Sequence, residues 1–332
     1  MRVVASMSGP WPGPAMVVRA MDSSAWQFLK RVLALSKDAD AVILLGSSGF
    51  HQKYIELIAA GALKFRPRSR RPVVILHDAT WDVGSKALEE RHPRLANIVP
   101  KLGQLAVRAI DGPNVVYCVL STEEKRTFAE RWRVDDDRVL FVPFGATLDA
   151  SLAEGATDGG YIFSGGDSYR DFDLLADAVR GLDVVVQVAT STWQPKVDPP
   201  SNLKLLGWIP KEEFDRHLLG ATVVVTALQQ APRCAGLNSY INAMLFGKVV
   251  IVTDTPGVRD YVDDGVTGLV VSPEPGALRA AIEWALAPEN RDTVAQMRSK
   301  AQEVARERFL LKHYFARLWE IAEKEVAGRG PV

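Results

Sequence analysis

At 332 residues the chain is long enough for about two domains, each burying its own core. Its 40 Lys and Arg cancel its 40 Asp and Glu, so no overall basic surface awaits nucleic acid, and two cysteines, Cys118 and Cys234, imply no disulfide scaffold. No apolar run reaches the ~20 residues that span a bilayer, and the opening MRVVASMSGPWPGP lacks the apolar stretch of a signal peptide, so a cytoplasmic protein is expected.

Arg2 to Ser6 reads as the first strand. It breaks into Ser8–Pro14, a segment too rich in proline for a sheet interior. This is either a tight surface loop or a crevice wall in which Trp11 offers a face to a sugar or an apolar acceptor. Asp22 or Ser23 caps a helix that carries Trp26, Leu29, Val32 and Leu33 on one face. Ala41 to Leu45 is a buried strand ended by Gly46-Ser47-Ser48-Gly49, and a helix through Tyr54, Ile55 and Ile58 follows. The run from Lys64 to Pro72 holds five positive charges in eight positions. It reads as a solvated loop or as a dock for anionic lipid headgroups, which would make the protein peripheral to the inner membrane face.

Val73 to Leu76 is the next strand. His77-Asp78 ends it at the carboxyl edge, where open α/β sheets bind ligands. Leu95, Ile98, Val99, Leu102, Leu105 and Ile110 form an apolar stripe that Pro100 breaks or kinks. Val115 to Leu120 is a strand, and Ser121-Thr122-Glu123-Glu124 is a capping box for a helix through Phe128 and Trp132. Val139 to Val142, closed by Pro143-Phe144-Gly145, completes the first half. Strands alternating with helices argue a parallel, doubly wound sheet.

Residues 146–160, ATLDASLAEGATDGG, read as an interdomain linker, and the domains are placed at 1–147, 148–310 and a final helix in 311–332. Strand Tyr161 to Ser164 runs into Gly165-Gly166, and Arg170 opens the next helix. Glycines let a diphosphate approach the backbone, and a helix start receives its charge. Strands Val184 to Ala189 and Leu203 to Leu206 follow, then Gly207-Trp208-Ile209-Pro210 with Pro210 in a helix's first turn. Strand Val223 to Thr226 leads into the stretch Arg233 to Val271. There a helix opens after Ala235-Gly236, its face formed by Leu237, Ile241, Met244 and Leu245, and Gly247 caps its end. The free amides of residues 235–238, including Gly236, Leu237 and Asn238, are a seat for phosphate. Val249 to Val252 is a buried parallel strand. Helices over 277–286, 292–308 and about 312–326 close the chain.

In order and spacing, Gly236-Leu237, Ala243-Met244, Gly247-Lys248, Gly257-Val258-Arg259-Asp260 and Gly265-Val266-Thr267-Gly268-Leu269 resemble the donor half of family-4-type retaining glycosyltransferases of the GT-B fold. The resemblance runs from about Gly160 to Leu286 and more faintly over residues 40–147. It implies an α/β protein of two Rossmann-like domains facing a cleft, with the last helix crossing back to the first domain. It also implies retaining hexosyl transfer from a UDP- or GDP-sugar to a hydroxyl of a sugar, lipid-linked or small-molecule acceptor, with neither metal nor cofactor.

Residue by residue, the resemblance puts His77 in a hydrogen bond to the donor sugar, with Trp11, Gly13 and Asp78 on the acceptor side. Gly165 stands where the family has an arginine, and Arg170 stands at its second phosphate cation. Arg233 is placed to replace the lost charge. Trp208 and Ile209 fall where the base is met. Asn242 occupies the place of a glutamate that receives the ribose hydroxyls, and Cys234 lies near the place of a first glutamate. An amide in place of the carboxylate weakens that hold roughly tenfold. Two other readings stand beside transfer: a non-catalytic GT-B partner protein and a nucleotide-sugar epimerase.

Overall fold

The computed structural model describes residues 1–22, 24–46, 55–81, 99–155 and 157–329. They form two units, Met1–Pro143 with Lys312–Val332 and Phe144–Leu311. The expected end of the first domain strand at Gly46 is seen. Ser47-Ser48-Gly49, Tyr54, Leu95 and Ile98 lie outside the described residues.

The first unit contains β1 (Val3–Ala5), β2 (Ala15–Val17), α1 (Ala25–Leu35), β3 (Ala41–Leu45), α2 (Ile55–Leu63), β4 (Val73–His77), α3 (Val99–Ile110), β5 (Val115–Val119), α4 (Thr122–Trp132) and β6 (Val139–Phe141). Its strands are all parallel, in the order β2-β1-β3-β4-β5-β6. Strand β2 was not expected. Three residues on a sheet edge carry too short a pattern to read, and their pairing with β1 is decided in three dimensions. The cap of α1 is Ser24, which exchanges bonds with Gln27, and not Asp22; Ser23 is outside the described residues. That start directs Phe28 and Val32 into the core and leaves Trp26 63% exposed. Phe28, Leu63, Leu76, Tyr117, Phe128, Trp132 and Trp81 share one apolar cluster.

The basic run ties helix ends together. Arg66 donates to the Leu33 and Ser36 carbonyls at the end of α1, and Lys64 Nζ donates to Arg108 O and Ala109 O (3.2 and 3.3 Å) at the end of α3. Cations suit helix C-termini, where the last carbonyls have no intrahelical donor. Arg71 in turn donates to Arg66 O at 2.7 Å. Three of the charges invoked for a lipid dock are therefore engaged inside the unit.

The second unit runs β7 (Tyr161–Gly165), α5 (Phe172–Val179), β8 (Val185–Ala189), β9 (Leu203–Gly207), α6 (Lys211–Gly220), β10 (Val223–Thr226), α7 (Leu237–Leu245), β11 (Val249–Thr253), β12 (Leu269–Val271), α8 (Pro275–Leu286) and α9 (Arg291–Arg308). The sheet order is β12-β11-β10-β7-β8-β9, all parallel. This is the doubly wound order of a dinucleotide-binding fold. The segment read as a linker is fastened to this unit. Buried Lys248 donates to Thr157 O, and Asp158 pairs with Arg298 at 3.1 Å.

Helix α10 (Leu311–Ala327) belongs with the first unit from Lys312 onward. Its buried face is Tyr314, Phe315, Leu318, Trp319 and Ala322. The β1–β2 crossover carries no helix, only the Pro- and Gly-rich loop, and α10 packs on that loop. A Cβ at Gly9 would lie 1.9 Å from the Phe315 ring, and one at Gly13 would lie 2.3 Å from the Trp319 ring. Trp11 meets Phe315 edge-on at 4.5 Å and donates its indole N–H to Met7 O. The loop is a socket for aromatic side chains, and its glycines are there because a side chain would fill it.

Candidate functional site

Strand order reverses between β7 and β10. One strand leads to β8 on its far side, the other to β11, so the loops after them open a crevice at the carboxyl edge. The backbone stitches these loops together. Asp171 N donates to Ala227 O (3.0 Å), Gln229 N donates to Tyr169 O (2.9 Å), and Arg170 bridges Leu228 in antiparallel fashion. Gly165 and Gly166 have local reasons to be glycine. A Cβ at Gly165 would strike Phe214 at 2.4 Å. Gly166 adopts φ 110°, and its Cβ would lie 2.7 Å from Arg170 Nη2.

Arg170 precedes α5 instead of opening it; Asp171 is the cap, accepting from Leu174 N at 3.0 Å. The guanidinium donates from Nε to Gly165 O (2.9 Å), from Nη1 to Ser168 O (2.9 Å) and from Nη2 to Ser239 Oγ (3.0 Å). A guanidinium has five N–H groups; three are committed to shaping the loop, and the other two make no hydrogen bond among the described residues. Burial lowers its pKa to about 10, nearby Arg233 acts the same way and Asp167 opposes; it stays cationic at neutral pH. Arg233 reaches the same loop from the other side. Its Nη2 donates to Ser168 Oγ at 3.1 Å, and its guanidinium lies over the Tyr169 ring at 5.2 Å. Two cations thus converge on Ser168.

Helix α7 starts at this point. Gly236 is its N-cap at φ 80°, and a Cβ there would lie 2.8 Å from Thr226 Cγ2, so both conformation and space call for glycine. The amides of Leu237 and Asn238 head the helix, where no intrahelical carbonyl can reach them. Ser239 links helix and loop: its Oγ donates to Gly165 O (3.3 Å) while accepting from Arg170. The helix closes as read, with Gly247 at φ 61°, its N–H on Met244 O (3.0 Å) and Lys248 N on Ala243 O (2.9 Å).

Two residues that the resemblance sets at or near the family's glutamate positions make contacts within the unit. Asn242 is buried; its Oδ1 accepts from Thr147 N (3.0 Å) and Leu148 N (3.2 Å), and its Nδ2 donates to Thr147 Oγ1 (3.0 Å). The amide holds the chain entering the unit. Cys234 is buried with its Sγ 3.3 Å from the Tyr240 hydroxyl. Trp208 does not pack; it is 73% exposed after Gly207, which adopts φ 71°, and Ile209 beside it is half-buried.

In the first unit, His77 ends β4 and is 1% exposed. Its Nδ1 lies 3.0 Å from the Tyr314 hydroxyl, and Nε2 has no hydrogen-bond partner among the described residues. Burial lowers its pKa to about 4, so the ring is neutral. Asp78 follows with a left-handed backbone, φ 52°, and accepts from Thr80 Oγ1 at 3.1 Å. The pKa sets a pH window. The folded state binds fewer protons than the unfolded state between about pH 4 and 6.5, so stability is full above 6.5 and falls as pH drops towards 4. Urea unfolding should show wild type losing about 3 kcal/mol more than His77→Gln across that window. Parallel pH profiles for the two proteins would contradict the assignment.

The structure gathers Gly165, Gly166, Arg170, Arg233, Gly236, Leu237 and Asn238 in one unit, on the loops and the helix start at the β7/β10 reversal. His77, Asp78, Trp11 and Gly13 belong to the other unit. Sequence reading missed Ser239, Ser168 and Asp167. Asp167 anchors the loop by accepting from Ser191 N (2.8 Å), Ser191 Oγ (2.7 Å) and Thr190 Oγ1 (2.6 Å). The signal for Asp167 was the Thr190-Ser191-Thr192 run, whose hydroxyls call for an acceptor.

Residues 192–307 match the family model described as glycosyl transferases group 1. No curated protein sequence matches the chain. Among solved structures it is similar to HepE of Anabaena, determined in complex with UDP and glucose, at 14% identity and a TM-score of 0.68 over 98% of this chain and 100% of that one. It is also similar to sucrose-phosphate synthase of Thermosynechococcus elongatus (13%, 0.63, 96% and 83%) and to WaaG, a glycosyltransferase involved in lipopolysaccharide biosynthesis (14%, 0.57, 97% and 99%). The chain has the GT-B fold, with two Rossmann-like units each built on its own parallel sheet.

Proposed function

We propose that this protein is a glycosyltransferase that moves a hexose-type sugar, with retention of configuration, from a nucleotide-diphosphate donor to an acceptor hydroxyl. The observation that carries the reading is the convergence of Arg170, Arg233 and the α7 start on one loop at the β7/β10 reversal. When the sugar–phosphate bond breaks, negative charge grows on the departing diphosphate. Two guanidiniums and the Leu237 and Asn238 amides stabilise that charge from fixed positions. This assigns leaving-group neutralisation to protein cations, so transfer needs no metal. HepE, solved with UDP and with UDP-glucose, supports a UDP-sugar donor, with a GDP-sugar as the second candidate. His77, neutral and at a strand's carboxyl end, serves as a hydrogen-bonding group for the sugar, and the first unit takes the acceptor.

One observation favours a second reading, a GT-B protein that binds nucleotide without turnover: Asn242 is occupied by Thr147 and Leu148. Incubation with labelled UDP- and GDP-sugars in EDTA decides between them. Release of nucleoside diphosphate is expected. Nucleotide binding without release under any acceptor would establish the second reading, and interconversion of the sugar would establish an epimerase.

A further inference from the structure

The C-terminal helix brings a phenol to the histidine that ends β4. His77 is held at three points. Its backbone pairs with Leu45 in the sheet, its carbonyl accepts from Gly46 N at 2.6 Å, and its Nδ1 faces the Tyr314 hydroxyl at 3.0 Å. The two rings meet edge-on, at 73° and 6.0 Å between centroids, so they do not stack and the 3.0 Å contact is a hydrogen bond. Both side chains are fully buried, Tyr314 at 0% and His77 at 1% exposure. Nε2 is the odd atom, a buried imidazole nitrogen with no partner among the described residues. Leaving a buried polar atom unmade costs roughly 1–3 kcal/mol, and such atoms in native structures call for an explanation, a ligand or water among them.

We propose that Tyr314 is a positioning residue for the transfer reaction, donating its hydroxyl proton to His77 Nδ1 and so fixing the imidazole as the Nε2–H tautomer, a neutral donor aimed at an acceptor oxygen of the substrate. The direction of the bond follows from acidity. A phenol gives its proton to a hydrogen bond far more readily than a neutral imidazole does, and an imidazole nitrogen lone pair is the better acceptor of the two. The hydrogen bond made by one ring nitrogen decides which nitrogen carries the proton. A buried ring that stays neutral presents N–H without charge, as suits a sugar hydroxyl oxygen that must be held but not protonated. No short window of residues contains the pairing, because the partners are 237 positions apart. The substrate half of this inference rests on the glycosyltransferase reading; the tautomer half does not.

The test uses the full chain labelled with 15N-histidine, with the His77 signals identified by their loss in His77→Gln. In wild type at neutral pH, Nε2 should be protonated and Nδ1 bare. In Tyr314→Phe, which keeps the ring packing, the Nδ1 resonance should move as its donor is lost. In sugar-release kinetics that variant should lose about five- to tenfold in kcat with donor KM within twofold, the effect of one neutral hydrogen bond. A wild-type ring protonated on Nδ1 would overturn the proposal, as would a Tyr314→Phe enzyme with unchanged kcat. If wild type turns over no nucleotide sugar, the transferase reading fails separately, and the nitrogen spectrum still decides the role of Tyr314.

Discussion

Replacing Arg170 with alanine is expected to abolish the thermal shift produced by nucleoside diphosphate and to lower kcat/KM for the donor by about 10²–10³, the range for losing one preorganised group that stabilises transition-state charge. The expectation rests on geometry. Three N–H groups lock the guanidinium to Gly165, Ser168 and Ser239, so it meets a ligand without reorganising. Arg170→Lys separates charge from shape. An ammonium keeps the cation but is a point donor at the end of a flexible stem, and it cannot bridge the same three acceptors as a planar fork. Intermediate affinity is expected for lysine. Alanine also strips a donor from Gly165 O and Ser239 Oγ, so the free protein should unfold about 1–3 kcal/mol more easily. The decisive quantity is nucleotide affinity measured below the unfolding range. Were Arg170→Ala to bind UDP and GDP as wild type does, the diphosphate site would lie elsewhere.

A Gly9→Val substitution should damage the first unit severely. The first added carbon would lie 1.9 Å from the Phe315 ring, and the branched side chain adds two more. Overpacking a filled site costs typically 1–3 kcal/mol, and here the element displaced is α10, which also carries Tyr314. Proteolysis should therefore cut within residues 311–327 faster in the variant. A double-mutant cycle gives the sharper check. Gly9→Ala and Phe315→Leu should each destabilise, and the pair should recover part of the loss because the smaller side chain vacates the space the new carbon needs. Strict additivity of the two changes would show that loop and helix do not share this contact. Gly13 and Trp319 form a second pair of the same kind.

Much of the architecture was readable because its signals are local. The apolar strands, the Gly247 cap, the Ser121 cap that accepts from Glu124 N and the glycine that opens α7 each depend on a few neighbouring residues, and each appears where the pattern put it. So does the doubly wound arrangement, since strands alternating with helices leave few topologies. The start of α7 was legible for the same reason: Gly236 must be glycine to enter the helix from φ 80°, whatever the rest of the chain does.

Partners distant along the chain were not legible. The Pro- and Gly-rich loop after β1 has the composition of a ligand-facing turn, yet its glycines make room for Phe315 and Trp319. The basic run has the composition of a lipid dock, yet Lys64 and Arg66 serve the carbonyl ends of α3 and α1. The resemblance sets Asn242 at a nucleoside position, yet its amide closes on residues 147 and 148. Composition tells which chemistry a side chain can perform. A charge or an amide satisfies itself with whatever donor or acceptor folding brings within 3 Å or so, and that neighbour is set by the packing of whole elements, which no short window of residues contains.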